Sequence, residues 1–325
     1  MRVLVTGGAG FIGSHMADRL LADGNDVTVL DNESTGRREN VPAGARYLKG
    51  DVAVPADVER AFSGGLDAVL HIAGQASTIR SFDDPTADLR TNVNGTICVL
   101  QHILRHRVPR LLFASSMTVY GHPRTVPVNE ESPLAPVSYY GIAKLAAERY
   151  VHATAARDDL DFSFNVTSFR MFNVYGPRQS LDNPYQGVVA IFIGNVLRGE
   201  PITIYGDGEQ SRDFVHIRDV VDAWMSALHT PAAHGQVINL GTGTRRSVHE
   251  LVDAVLAESG RDRGSYPVRY ERQRPGDQRH MQADISRIER ALGWRPRVGF
   301  AEGMARTVQW AESEGMKRDA ARGKR

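Results

Sequence analysis

The chain has 325 residues, 42% hydrophobic and 24% charged, with a formal net charge of +1. That length supports a sizeable core, as one large α/β domain or one with a smaller appended lobe, and the balanced charge gives no electrostatic reason for a nucleic-acid or membrane partner. The single cysteine, Cys98, excludes an intrachain disulfide, and no apolar stretch is long enough to span a bilayer.

Arg2-Val3-Leu4-Val5-Thr6 is a β-branched run that reads as a buried strand, with no signal-peptide pattern before it. Gly7-Gly8-Ala9-Gly10-Phe11-Ile12-Gly13 follows, then an amphipathic helix from Ser14 to a stop at Gly24, then the strand Asp26–Leu30 closed by Asp31. In such a unit the glycines make a tight turn, let backbone approach a pyrophosphate and let the helix pack on the strand. The helix N-terminus faces the phosphates, and the acid at the second strand's end accepts from a ribose hydroxyl. Asp31 would repel a 2′-phosphate, so NAD is expected, with Arg37 and Arg38 left to a solvated loop.

Residues 45–52 read as a third strand and its exit, and Asp67–Gly74 as a fourth whose small end residues, Ala73 among them, let a cofactor approach. Residues 84–107 form a long helical pattern with Asn92 and Asn94 inside it and Cys98 on its apolar side. His102 and His106 are four apart on it; no third ligand is evident, no metal is expected, and they read as surface residues. Leu111–Ala114 is a fifth buried strand leading to Ser115-Ser116-Met117-Thr118. The segment after Ser138 reads as a helix carrying Tyr140 and Lys144, one turn apart on one face. An ammonium beside a phenol favours the phenolate, which makes a tyrosine of reference pKa about 10 usable as a base. Tyr-x-x-x-Lys alone is also an ordinary surface spacing; Ser116 at a strand end and the N-terminal glycine unit give it chemical meaning. Val166–Arg170 continues the strands, and the alternation over residues 1–170 argues for a parallel, doubly wound sheet.

From residue 171 the loops lengthen, with helical patterns near 188–198, 217–228 and 247–258 between short strands. Residues 171–325 are expected to form a smaller substrate lobe, with some chain crossing back, and to end in a charged, frayed tail from Lys317.

Thr6–Gly13, Asp31-Asn32, the Ser116 strand, Tyr140-x-x-x-Lys144 and Arg274-Pro275-Gly276-Asp277 together resemble the extended short-chain dehydrogenase/reductase family. The likeness is to its nucleotide-sugar 4-epimerases of the UDP-glucose 4-epimerase type, and it runs through nearly the whole chain. It implies a Rossmann domain with a C-terminal lobe and bound NAD. Gly7, Gly10, Phe11, Ile12 and Gly13 would lie under the pyrophosphate, Asp31 and Asn32 at the adenosine ribose, and Asp51 and Val52 beside the adenine. Tyr140 would be the base, Ser116 its partner on the sugar O4, and Lys144 would bind the nicotinamide ribose and lower the Tyr140 pKa. Asn173, Arg212 and Arg274 match positions that hold the diphosphate, two guanidinium forks suiting phosphate oxygens. On charge alone the arginines fit structural ion pairs equally well. Val189 is a further implied substrate contact, and Met281 stands where the sugar pocket is gated. Arg178 would pair with a C6 carboxylate if it points inward and is a loop charge if it points outward. Dehydrating and decarboxylating relatives carry acids just after the serine position, where this chain has Met117 and Thr118. The resemblance also implies a homodimer paired through helices near 90–107 and 140–157, and the single cysteine suits a reducing cytoplasm. The readings to separate are a 4-epimerase of UDP-hexoses or UDP-hexuronates, a nucleotide-sugar dehydratase or reductase, and a non-catalytic dinucleotide-binding regulator.

Overall fold

The computed structural model describes residues 1–183, 187–274 and 276–322, with side chains through residue 314. The first half alternates strand and helix: β1 (Arg2–Thr6), α1 (Phe11–Ala22), β2 (Asp26–Asp31), β3 (Arg46–Lys49), α2 (Pro55–Phe62) and β4 (Ala68–His71). Then come α3 (Thr78–Asp83), α4 (Pro85–Leu89), a π-helical turn (Arg90–Asn94), α5 (Gly95–His106), β5 (Arg110–Ser116), a 3-10 turn (Met117–Tyr120), α6 (Tyr139–Ala155) and β6 (Asn165–Met171). The second half runs β7 (Asn173–Tyr175), α7 (Val188–Arg198), β8 (Ile202–Tyr205), β9 (Ser211–His216), α8 (Ile217–His229), β10 (Gln236–Leu240), β11 (Arg245–Ser247), α9 (Val248–Glu258), β12 (Val268–Glu271), α10 (Ser286–Leu292) and α11 (Phe300–Arg322).

Seven parallel strands form the main sheet in the order β10-β6-β5-β4-β1-β2-β3. The expected doubly wound parallel sheet is therefore present. Side chains alternate across it with period two. Val3 and Val5 face one core with Met16 and Leu20 of α1 and Val220 and Trp224 of α8. Leu4 faces the other, with Phe62 of α2, Val99 and Ile103 of α5, and Ala147 and Val151 of α6. Both faces are covered, which is why these strands read as continuous apolar runs.

One strand of this sheet, β10, comes from the C-terminal half and pairs with β6, Gln236 opposite Thr167. Smaller sheets, β11-β9-β7 and β12-β8, build the rest of the second lobe around a core of α7, α9 and α11 residues such as Phe192, Leu251 and Val308. A fourth cluster of Met117, Val119, Tyr120, Val128, Phe172 and Met281 joins the end of β5 to the second lobe.

The pattern over residues 84–107 is helical but not one regular helix, because the π turn at Arg90–Asn94 interrupts it. His102 corrects the surface expectation: it is only 4% exposed. Its Nδ1 meets the Cys98 carbonyl at 2.8 Å, and its Nε2 lies 3.3 Å from Glu59 of α2. His106 also reaches Glu59, at 3.1 Å. Among the described residues no group of three or more metal-ligating side chains is arranged to hold an ion. No described helix is long and apolar enough to cross a membrane.

Candidate functional site

The glycine turn sits at the C-terminal end of β1, where open parallel sheets place ligands. Gly7 has φ +71°, and a Cβ there would lie 2.8 Å from the Ala73 nitrogen. A Cβ on Gly13 would lie 2.7 Å from the Gly7 carbonyl carbon, so helix and turn pack backbone to backbone. α1 begins at Phe11 with Gly10 as its cap and no side-chain capping bond. The first-turn N–H groups, those of Phe11, Ile12 and Gly13, are thus left for an anion. Asp31 is 8% exposed at the end of β2; it accepts from the Ala9 nitrogen at 3.0 Å and the Glu33 nitrogen at 2.7 Å. Burial pushes its pKa up, and those backbone bonds work against the rise. Asn32 turns its own loop by accepting from the Ser34 nitrogen. Asp51 pairs with Arg90 of the π turn at 3.0 Å, and Val52 is buried. Arg38 stacks over Tyr47, and Arg37 reaches Glu39 and Asp182.

Ser116 ends β5 at 7% exposure. Tyr140 and Lys144 lie in the first turns of α6, capped by Ser138, whose Oγ accepts from the Gly141 nitrogen at 3.1 Å. The Tyr140 phenol lies near enough to the Ser116 side chain to be influenced by it. The expectation that Lys144 lowers the Tyr140 pKa needs correcting for the protein alone. Burial pushes Tyr140 up to about 12; Ser116 lowers it and the Asp88 charge raises it further. Lys144, 5% exposed with its Nζ 4.6 Å from the centre of the Phe113 ring, is pushed down to about 8 by burial, while Asp88 and Glu148 pull the other way. Desolvation is the leading cause of both shifts.

Asp88 and Asn92 belong to this cluster and were not singled out chemically in the sequence. Asp88 is 1% exposed and its Oδ1 accepts from Gln75 Nε2 at 2.8 Å and Asn92 Nδ2 at 3.0 Å. Asn92 also donates to the Gln75 carbonyl, and its own Oδ1 is buried without a partner. The available signal was an asparagine inside an apolar helical pattern, where its side chain competes with the backbone; π turns recur at such places.

The remaining sequence-predicted site residues lie in the second half of the chain. Asn173 opens β7 with its Oδ1 buried and unpartnered. Arg212 of β9 is 8% exposed, donates to the Ser211 carbonyl at 2.9 Å and pairs with Asp277. Arg274 lies over the Tyr205 ring, 3.7 Å from its centre. Pro275, within the same run, lies outside the described residues. Met281 is fully buried in the cluster with Met117 and Phe172. Val189 is 2% exposed in the second-lobe core. Arg178 has φ +68° and faces α1, where Asp18 meets its charge at 2.6 Å.

The sequence pattern of the "NAD dependent epimerase/dehydratase family" matches residues 3–241. The chain belongs to this family. Among relatives of the family, the chain is 40% identical over 317 residues to the UDP-glucose 4-epimerase of Mycolicibacterium smegmatis, spanning 95% of this chain and 98% of that protein. The fold is similar to the crystal structure of Thermotoga maritima UDP-glucose 4-epimerase with UDP-glucose, with TM-score 0.91, 37% identity and coverage of 97% and 99%. It is also similar to the Thermus thermophilus UDP-glucose 4-epimerase in complex with NAD, with TM-score 0.88, 39% identity and coverage of 96% and 99%. The family's cofactor is NAD, and the residues here fit it: an uncapped helix start, glycines with no room for a Cβ, and a buried carboxylate closing β2.

Proposed function

We propose that this chain is a UDP-sugar 4-epimerase, inverting C4 of a UDP-hexose or UDP-hexuronate through a 4-keto sugar. The observation that carries this is Ser116, Tyr140 and Lys144 gathered at one strand end of an NAD-type sheet. Met117 and Thr118 occupy the places where dehydrating and decarboxylating relatives carry acids. Neither can exchange a proton at C5.

Tyr140 takes the O4 proton and returns it, and Ser116 hydrogen bonds at the same oxygen. NAD, when bound, supplies the hydride acceptor and a positive ring charge. That charge, with Lys144, offsets the burial that raises the phenol. Lys144 and Asp31 hold the two riboses; Asn32, Asp51, Val52 and Ala73 line the adenosine and nicotinamide ends. Asn173, through its amide N–H, and Arg212 and Arg274 grip the diphosphate. Met281 and Val189 back the sugar and uridine ends. Arg178 serves a C6 carboxylate only by leaving Asp18, so the hexose is the favoured substrate. Residues 1–170 bind the cofactor and residues 171–325 the nucleotide sugar, with β10 returning to the first unit.

The enzyme acts as a homodimer. Leu89 of α4 and Tyr139, Ile142 and Tyr150 of α6 are 47–52% exposed, an apolar face suited to a second copy. One cysteine, buried and unpaired, suits a cytoplasmic setting.

The deciding experiment incubates purified protein with UDP-glucose, UDP-glucuronate, UDP-N-acetylglucosamine and dTDP-glucose and resolves the products by NMR. A C4 epimer without added NAD and without net reduction supports the reading; loss of water or CO2, or net NADH, assigns a dehydratase, decarboxylase or reductase instead. Tyr140→Phe should cut turnover by about a thousandfold while NAD stays bound. Full activity in that variant removes Tyr140 as the base.

A further inference from the structure

Asp88 is a buried carboxylate whose hydrogen bonds bring it no counter-charge. Both donors to its Oδ1, the side chains of Gln75 and Asn92, are neutral amides. Burying an ion without a partner is costly, so such groups come in pairs. Among the described residues, the one charged group that acts on Asp88 is Lys144. Lys144 stands in the converse position: a buried ammonium over the Phe113 ring, with no ion pair among the described residues. Two carboxylates act on it, Asp88 and, less strongly, Glu148. Glu148 is already held by the Arg170 guanidinium through two hydrogen bonds. Asp88 has no such competitor.

The fold brings the two groups together through Asn92. Both α4 and the π turn pack against α6. The Asn92 Nδ2 donates to Asp88 and to the Gln75 carbonyl, so its Oδ1 must point the other way. A Cβ on Gly74 would lie 2.6 Å from that oxygen and 3.8 Å from the Lys144 Nζ, so the amide oxygen and the ammonium border one gap. One end of a single side-chain amide sits on Asp88, and the other faces the gap beside Lys144.

We propose that Asp88 is a positioning residue, the counter-ion that keeps Lys144 an ammonium so that Lys144 can favour the Tyr140 phenolate. This rests on the epimerase reading above and extends it to a carboxylate that acts through its neighbour. The other groups facing Lys144 carry no negative charge before the proton transfer. His71 on β4 is held neutral, down to about 3, by burial and by Lys144 itself. Tyr140, one turn back on α6, is a phenol until it acts as the base, and Phe113 on β5 offers only its ring face. Burial still pushes Lys144 down to about 8, and a positive nicotinamide ring nearby would press it lower. Without Asp88 the amine would lose its proton near neutrality. Asp88 also acts on Tyr140 directly, in the opposite sense, by disfavouring the phenolate. The two effects separate with pH. Below the lysine titration, removing the Asp88 charge costs Tyr140 nothing; above it, the ammonium is gone.

Asp88→Asn keeps the shape and leaves an oxygen to accept from Gln75 and Asn92, but removes the charge; Asp88→Glu keeps the charge. The chain has four lysines, Lys49, Lys144, Lys317 and Lys324. Carbon-13 NMR of the lysine Cε groups can therefore follow Lys144 alone, assigned as the signal lost in Lys144→Met. In Asp88→Asn the Lys144 titration should fall by roughly 1 pH unit. The alkaline limb of kcat should move down with it. At a fixed pH on that limb kcat drops about tenfold, while on its acid side kcat and KM stay near wild type. Asp88→Glu should restore both. A purely structural Asp88 would instead lower kcat equally at every pH and leave the lysine titration in place. An unmoved Lys144 titration or an unchanged kcat profile in Asp88→Asn overturns the proposal, and so does a pH-independent loss or the same loss in Asp88→Glu. Asp88→Ser, which also removes the charge, replaces the asparagine variant if that does not fold. If the wild type epimerises no UDP-sugar, the epimerase reading fails first. The lysine titration, taken before any sugar is added, still reports whether Asp88 is the counter-ion.

Discussion

Gly13→Ala tests whether the glycine turn and α1 form one rigid cradle for the cofactor. The added carbon would stand 2.7 Å from the Gly7 carbonyl carbon, 2.8 Å from the Gly8 Cα and nearer still to the Gly7 oxygen. All three are backbone atoms, which cannot swing aside as a side chain can. Carbon atoms in contact sit about 3.5–4.0 Å apart, so the helix start must withdraw by roughly 1 Å. Overpacking of this kind costs about 1–3 kcal/mol of stability. The larger effect falls on binding. The N–H groups of Phe11 and Ile12 would recede from a phosphate by the same distance, and a hydrogen bond to a charged group contributes about 1.5–3 kcal/mol. Losing one weakens NAD about tenfold to a hundredfold. NAD affinity by calorimetry and melting temperature are the two measurements. Gly24→Ala is the control: it has φ +79° with open space around its Cβ, so it should cost about 1 kcal/mol of stability and leave NAD binding unchanged. If Gly13→Ala binds NAD as the wild type does, the helix N-terminus is not the phosphate site.

Other outcomes follow from the same geometry. Lys144 titrates at about 8 in the fold against 10.5 for the free amine. Between those values the unfolded chain holds a proton the folded chain lacks, so stability rises with pH through that window, and below it the full cost of burying the charge applies. Lys144→Met should therefore melt above the wild type at neutral pH, by up to roughly 3 kcal/mol, with the gap closing as pH approaches 10 and with turnover lost; a gap independent of pH would contradict this. Glu148, 2% exposed, accepts from Arg170 at 2.7 and 3.1 Å and from Ser115 at 2.6 Å. Glu148→Ala strands a buried guanidinium and should lower stability by about 3–5 kcal/mol in urea unfolding, whereas replacing both partners with apolar residues should cost less. Ile142→Glu tests the proposed homodimer: the wild type should sediment as a dimer and the variant as a monomer, and a monomeric wild type or a dimeric variant would contradict the proposed face.

The first half of the fold was legible because its signals are local. Glycine spacing, β-branched runs and a one-turn Tyr–Lys spacing each depend on a few neighbouring residues. What the sequence hid is non-local. Nothing in Gln236–Leu240 says which sheet it joins, since pairing with β6 is decided by chain about 70 residues away. The spacing placed Lys144 beside Tyr140 but not the burial, nor Asp88, that governs their protonation. His102 read as exposed because its partner, Glu59, lies on another helix. Arg178 had two readings from sequence, and only the tertiary fold supplies Asp18.

The strand β10 has a consequence for evolution and engineering alike. A polypeptide severed after residue 170 would leave β6 with bare N–H and C=O groups along one margin, a template for wrongly docked chains. Recombination that exchanges residues 171–325 between relatives must therefore carry a strand that matches β6, whereas substitutions within that half leave the pairing intact.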